Sequence, residues 1–187
     1  AYTTPETALL TANGSDVADV FVDGRAVMED RRVKTVDGAA IMRDCQQRAE
    51  RLWAAASSVQ GLTRTLNDTI DYIRERNIFG QTVLDFQYVH FRLAELKTEI
   101  EALRALTYRA CEMYVAGEDV TELASMAKLK SGRLRREVSD ACLQYWGGMG
   151  FTWDNPVSRA YRDGRLGSIG GGSDETMLGI ICKYMGI

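Results

Sequence analysis

A chain of 187 residues with 45% hydrophobic residues, 26% charged residues and a net charge of −3 has the composition of an ordinary globular protein with one good core or two small ones. That charge gives no global attraction for nucleic acid. No apolar run approaches the roughly 20 residues of a membrane span, and Ala1-Tyr2-Thr3-Thr4-Pro5 lacks the charged-then-apolar pattern of a secretion signal.

The first 38 residues hold all the strand signals. Asp19-Val20-Phe21-Val22 runs into Asp23-Gly24 and then Arg25-Ala26-Val27-Met28, and an Asp-Gly pair between apolar runs predicts a hairpin because both turn positions tolerate positive φ. Glu29-Asp30-Arg31-Arg32 supplies a second turn into Val33-Lys34-Thr35-Val36. After Gly38 no proline occurs until Pro156, and the pattern becomes helical. A first helix is predicted over about Ala39 to Asn77, broken at Phe79-Gly80. A second runs from about Leu84 to Ala116, with Leu93, Leu96, Ile100, Leu103 and Leu106 on one face and Gly117 as its C-cap. A third spans about Val120 to Trp146 and stops at Gly147-Gly148. A glycine-rich loop then leads to a short helix from about Asp174 to Tyr184. The predicted fold class is mainly α: an up-down bundle of three long helices plus a short C-terminal helix, behind a small N-terminal β-hairpin segment, with residues 1–38 and 39–187 as the two domains.

The cysteines Cys45, Cys111, Cys142 and Cys182 are far apart inside helical patterns and read as reduced, buried thiols of a cytosolic protein. The only histidine, His90, stands between Val89 and Phe91 on a predicted helix, which leaves no multi-histidine metal site and no catalytic triad elsewhere. The run Arg133, Arg135, Arg136 is offset by Glu137 and Asp140 and reads as a solvated helix face.

Four features carry possible chemistry. Arg76 lies beside the glycine-allowed break Phe79-Gly80, where a planar guanidinium can reach a phosphate; on spacing alone a plain interhelical turn with a surface arginine comes ahead of that role. Gln144-Tyr145-Trp146-Gly147-Gly148 ends a long helix, with glycines that admit close backbone approach and aromatics that could pack on a ring; a glycine C-cap explains most of it, and no strand precedes it as in a Rossmann turn. Gly170-Gly171-Gly172-Ser173 precedes the last helix, whose free N–H groups can bind phosphate or polarise a carbonyl, with a linker as the alternative. Glu50, beside Trp53 and an alanine-rich face, is either a partly desolvated base or a solvated helix glutamate.

In this order the segments Arg76-x-x-Phe79-Gly80-Gln81, Phe86-Gln87, Gln144-x-x-Gly147-Gly148-x-Gly150-Phe151, Tyr161-Arg162-Asp163 and Ile169-Gly170-Gly171-Gly172-Ser173-Asp174-Glu175 resemble the C-terminal helical domain of the acyl-CoA dehydrogenase family. The resemblance covers roughly Glu50 to Ile187 and is nearest to the isovaleryl- and citronellyl-CoA branch. It implies FAD as cofactor, an acyl-CoA substrate, a branched acyl chain, an electron-transferring flavoprotein as acceptor, a dimer or tetramer of identical chains, and a cytoplasmic enzyme with no nucleic-acid partner. By resemblance the base is Glu50, followed by Arg51-Leu52, because the loop position that carries a glutamate in many members is Gly171 here. Arg76, Phe79 and Gln87, with Gln144, Tyr145, Trp146, Gly147 and Gly148 from a neighbouring subunit, would hold the phosphate and adenosine end of FAD. Ser173, Asp174 and Glu175 would contact the flavin, Gly171 and Gly172 would lie beside the thioester, and Arg51 would lie near the CoA side. Tyr161-Arg162-Asp163 would be an ion pair fixing the loop.

The segments Asn13-Gly14-Ser15-Asp16-Val17, Val20-Phe21-Val22-Asp23-Gly24-Arg25 and Val33-Lys34-Thr35-Val36-Asp37 resemble instead the C-terminal tail of a metal-dependent amidohydrolase, over residues 1–45, without any of that family's histidine ligands. Two other functions are therefore weighed: an amidohydrolase fragment, and a non-catalytic helical oligomerisation module.

Overall fold

The structure is a computed structural model and describes residues 18–34 and 37–187. The chain divides into two compact units with the break between Gln46 and Gln47.

In the first unit, β1 (Val20–Val22), β2 (Arg25–Glu29) and β3 (Arg32–Val33) form an antiparallel sheet in the order β1-β2-β3. Val22 pairs with Arg25 across Asp23 and Gly24, whose φ of 49° and 75° is the turn expected of Asp-Gly. Asp30 and Arg31, at φ 47° and 63°, repeat the geometry before β3, and the Asp30 N–H is held by Asp19 Oδ1 at 2.9 Å. The predicted strand positions Thr35 and Val36, and the resemblance at Asn13 to Val17, lie outside the described residues.

Helix α1 (Gly38–Glu75) is entered through Asp37, whose carboxylate accepts the Ala40 N–H at 2.9 Å, and is followed by α2 (Gln87–Val115), α3 (Thr121–Trp146), α4 (Pro156–Gly164) and α5 (Asp174–Met185). The three long helices are 38, 29 and 26 residues. Each boundary has a local cause. Thr82 and Asp85 form a capping box ahead of α2. Gly117 at φ 77° closes α2, with the Glu118 N–H returning to the Met113 carbonyl. Asp119 accepts the Thr121 N–H at 3.0 Å to start α3. Ser173 caps α5 through the Thr176 N–H at 3.3 Å.

The core of the second unit runs through α1, α2 and α3. Leu66, Ile73, Leu96, Ile100, Leu103, Val138 and Cys142 are almost fully buried, and truncating any one of the large aliphatic side chains to alanine is expected to cost about 2–5 kcal/mol. Helix α3 also packs against α4 and α5. Small residues (Ala124, Ser125, Ala127, Ser131 and Gly132) are buried along this helix. A Cβ on Gly132 would fall 2.7 Å from the Gly167 carbonyl oxygen, so glycine lets the turn Arg165–Ser168 lie directly on α3.

Two elements differ from the sequence expectation. The break between α1 and α2 is a miniature hairpin, β4 (Asn77–Ile78) and β5 (Gln81–Thr82), turned by Phe79 and Gly80 at φ 50° and 84°. The segment predicted as loop contains α4, because Asn155 caps it through the Val157 N–H at 2.8 Å and Pro156 supplies a pre-set first helical residue. No helix among the described residues is long and apolar enough to cross a membrane.

Candidate functional site

At the C-terminal end of α3, Arg76 reaches from the end of α1 and donates through Nη1 to the Tyr145 carbonyl. An arginine suits this position because the last carbonyls of a helix lack intrahelical donors and carry the negative end of its dipole. Gly147, at φ 60°, lies directly against the guanidinium: a Cβ there would fall 2.8 Å from Arg76 Cζ. Arginine and glycine turn, separate in sequence, thus form one unit, and the Tyr145 carbonyl is the only hydrogen-bond acceptor of the Arg76 guanidinium among the described residues. The aromatics of the turn face inward. Tyr145 is buried, and the half-buried Trp146 stacks on Tyr72 at 3.8 Å and donates its indole N–H to Thr69 Oγ1 at 3.0 Å. Both pack on core residues of this chain, Trp146 remaining partly exposed. Phe79 is 94% exposed at the tip of the hairpin, while Gln87 and Gln144 are exposed at helix ends.

Toward the other end of α3 a cleft of about 430 Å³ is lined by Glu50 and Trp53 of α1, Lys128 and Arg135 of α3, and Gly167 and Gly171 of the segment before α5. Glu50 is exposed and Gly171 has φ 66°, with only Lys128 Cε, at 3.7 Å, near the place a Cβ would take. Gly172, at φ 101°, approaches Met177 so closely that a Cβ would fall 2.6 Å from its Cε. Arg51, next to Glu50, is buried, and its Nη1 has no hydrogen-bond partner among the described residues. A larger groove of about 590 Å³ between α1 and α2, lined by Val59, Thr63, Tyr108 and Cys111 among others, contains none of the predicted site residues.

The residue that sequence reasoning missed is Lys128. It is buried, and its ammonium donates to the carbonyls of Gly167 at 2.7 Å and Gly172 at 3.1 Å. Burial pulls its pKa below the usual lysine range, with the Asp174 carboxylate opposing that shift. The available signal was a lysine on a helix face otherwise made of Ala124, Ala127, Ser131 and Gly132.

Asp174 is buried at the first position of α5 and pairs with Arg136 at 3.2 Å and Arg133 at 3.6 Å. The arginine run is therefore not simply a solvated face: two of its three members clamp the last helix. Ser173 is occupied as the helix cap, and Glu175 is exposed, its carboxyl held below the usual range by its own backbone N–H and by Ser173. Arg162 and Asp163 do pair, at 2.9 Å, in an exposed position. The thiols are all free, but only Cys142 is buried, and burial pushes it up to about 11; Cys45 is exposed, contrary to the expectation for all four. His90 lies exposed on α2, and no cluster of metal-binding side chains occurs among the described residues.

This bundle, with one glycine turn at the C-terminal end of α3 and another beside Lys128 of that helix, matches the family model described as acyl-CoA dehydrogenase, C-terminal domain, over residues 37–186. The chain belongs to the acyl-CoA dehydrogenase family. It is 36% identical over 131 residues to the mitochondrial short/branched chain specific acyl-CoA dehydrogenase of Rattus norvegicus, covering 70% of this chain and 30% of that protein. It is also 36% identical over 134 residues to the mitochondrial long-chain specific acyl-CoA dehydrogenase of Sus scrofa, covering 72% and 31%. The crystal structure of acyl-CoA dehydrogenase from Geobacillus kaustophilus superposes with a TM-score of 0.76 at 29% identity, over 87% of this chain and 41% of that one. The chain thus spans about a third of the length of the curated relatives it matches. The amidohydrolase resemblance of residues 1–45 draws no support from these comparisons, the family match starting at residue 37.

Proposed function

We propose that residues 39–187 are the flavin-binding C-terminal part of an FAD-dependent dehydrogenase that introduces a double bond between the α and β carbons of an acyl-CoA thioester, preferring branched acyl chains, with residues 1–38 an appended β segment. The observation that carries this reading is that Glu50 of α1 and Gly171 before α5, far apart in sequence, line the same cleft. A carboxylate facing a turn with positive-φ glycines is what α-proton abstraction from a thioester requires. Glu50 takes the α-proton. The Gly171–Gly172 turn lets backbone come close to the thioester, and the missing side chain at Gly171 leaves volume for a branch.

The donor set fits an anionic dinucleotide. Arg76 keeps N–H groups beyond the one given to Tyr145, and Gly147 brings backbone close to it. FAD, when bound, supplies the acceptor for the β-hydride. Lys128 and Trp146 are separated by about 27 Å of helix rise, so the two turns stand at distant points of α3. This supports a homo-oligomer in which the adenosine end lies against the Arg76 turn of a neighbouring copy. The orphaned nitrogen of Arg51 suits an anion on the CoA side, since a buried unsatisfied donor is destabilising until it is met. An electron-transferring flavoprotein as acceptor follows from the family alone.

In the holoenzyme, flavin absorption should bleach when an acyl-CoA is added without oxygen. Glu50→Gln should retain the bound flavin and lose the bleaching. A protein that binds no flavin sinks the dehydrogenase reading, and a Glu50→Gln protein that still bleaches sinks the assignment of the base.

A further inference from the structure

The Gly170–Ser173 turn contains two glycines at positive φ, and neither Gly171 nor Gly172 has a side chain to anchor it. Such a segment loses more backbone freedom on ordering than any other sequence, so something must hold it. The structure supplies one cation. Lys128 Nζ donates to the carbonyl of Gly167 at 2.7 Å, before the turn, and to that of Gly172 at 3.1 Å, within it. Its stem runs beneath Gly171, with Cε 3.7 Å from where a Cβ would stand. Charged groups facing it are few: Asp174 of α5 on one side and Arg135 of its own helix on the other. Asp174 is already held by Arg136 and Arg133. The lysine therefore bonds to backbone and not to a carboxylate, an arrangement that fixes where the carbonyls are.

We propose that Lys128 is the positioning residue of the thioester turn: its ammonium staples the carbonyls of Gly167 and Gly172 so that the N–H groups of Gly171 and Gly172 face the cleft shared with Glu50. Two hydrogen bonds from one charged donor are enough to order a three-glycine segment, since each bond to a charged group is stronger than a neutral one. The site of action is local. The Arg76 turn is at the far end of α3 and does not depend on it. The mechanism rests on the dehydrogenase reading only for what the turn binds, not for what holds the turn.

The test uses Lys128→Met, which keeps most of the stem and loses the donors, and Lys128→Arg, which keeps charge and donors. Hydrogen exchange is followed in the full chain at the Ile169 and Gly170 amides, which donate to the Leu166 carbonyl at 2.9 and 2.8 Å. In the unaltered protein these amides should be protected despite the glycines, and fast exchange there overturns the proposal before any variant is made. Lys128→Met should speed their exchange at least about tenfold relative to α2, one 1.4 kcal/mol step. Lys128→Arg should restore protection, and equal exchange in all three proteins overturns the proposal. In the holoenzyme, Lys128→Met should raise KM for butanoyl-CoA about tenfold, leave the Kd for FAD within about twofold, and be rescued by Lys128→Arg. Altered exchange with unaltered KM overturns the link to the thioester. Loss of FAD binding as well as turn protection overturns the claim that the effect is local. Absence of flavin from the unaltered protein falls on the dehydrogenase reading, while the exchange result still decides the role of Lys128.

Discussion

The glycine turns near the two ends of α3 use the same residue type for different reasons. At Gly147 the obligation is both conformational and steric: φ is 60°, and the guanidinium of Arg76 occupies the place a Cβ would take, 2.8 Å away at Cζ. At Gly171 it is conformational: φ is 66°, yet the only atom within 4 Å of a notional Cβ is Lys128 Cε. The first turn is thus locked onto a charged side chain from another helix end, while the second is a bare loop fastened from below. A turn that must present a fixed cation to a phosphate gains from the first design. A turn that must leave room for a variable acyl chain gains from the second.

The largest expected effect breaks the first turn. Arg76→Met removes the guanidinium, and FAD Kd should rise about 10- to 100-fold, the equivalent of about 1.5–3 kcal/mol for hydrogen bonds to a charged group. Gly147→Ala should weaken FAD binding in the same direction by pushing the guanidinium off the Tyr145 carbonyl, with a backbone cost of about 1–2 kcal/mol. Flavin titration checks both; unchanged affinity in both would separate Arg76 from the cofactor. A smaller effect sharpens the contrast at the second turn. Gly171→Ala should leave FAD affinity unchanged and lower kcat/KM for a branched acyl-CoA about tenfold more than for a linear one, since a single methyl in a pocket is worth about 1–3 kcal/mol. Equal losses for both substrates would mean that the space at Gly171 does not set chain shape.

How much of this was legible in the sequence depends on how local the cause was. The Asp23-Gly24 turn, the Gly117 cap, the Ser173 cap and the three long helices follow from neighbours in the chain, and the structure has them within a few residues of their expected bounds. Helix α4 was missed because its signal is a single cap, Asn155 before Pro156, set among glycines. The contact of Arg76 with Gly147 within one chain was not reached, the resemblance giving that glycine to a neighbouring subunit, and Glu50 and Gly171 were brought to one site only by the resemblance, because contacts between distant segments leave no periodic trace. Lys128 and the Asp174 clamp were not reached at all. A buried lysine and an ion-paired aspartate look like surface charges until the helix that covers them is in place. The inward packing of Tyr145 and Trp146 was hidden for the same reason, their partners Tyr72 and Thr69 lying a helix away.

The smallest effect tests whether one end of α3 can be loosened without the other. Asp119 gathers the Thr121 N–H at 3.0 Å, the Thr121 hydroxyl at 2.7 Å, the Tyr184 hydroxyl at 2.8 Å and Arg48 at 3.1 Å. Those bonds, Thr121 first, hold its pKa at about 2 against an ordinary 3.8. A carboxyl lowered on folding stabilises the fold fully above its unfolded pKa, and the contribution fades as pH falls from about 4 through about 2. Half of this side chain is solvent-exposed, so screening limits the contribution to the order of 1 kcal/mol. Asp119→Asn keeps an acceptor for Thr121 but loses the charge, and its Tm should lie below that of the unaltered protein by a constant gap above about pH 4. The gap should narrow steadily toward pH 2, where the aspartate is itself becoming neutral. Exchange at α5, tied to Asp119 through Tyr184, should quicken in the variant while the Arg76 turn keeps its protection. A gap independent of pH would show that Asp119 acts as a neutral cap and that its charge does not hold this end of the helix.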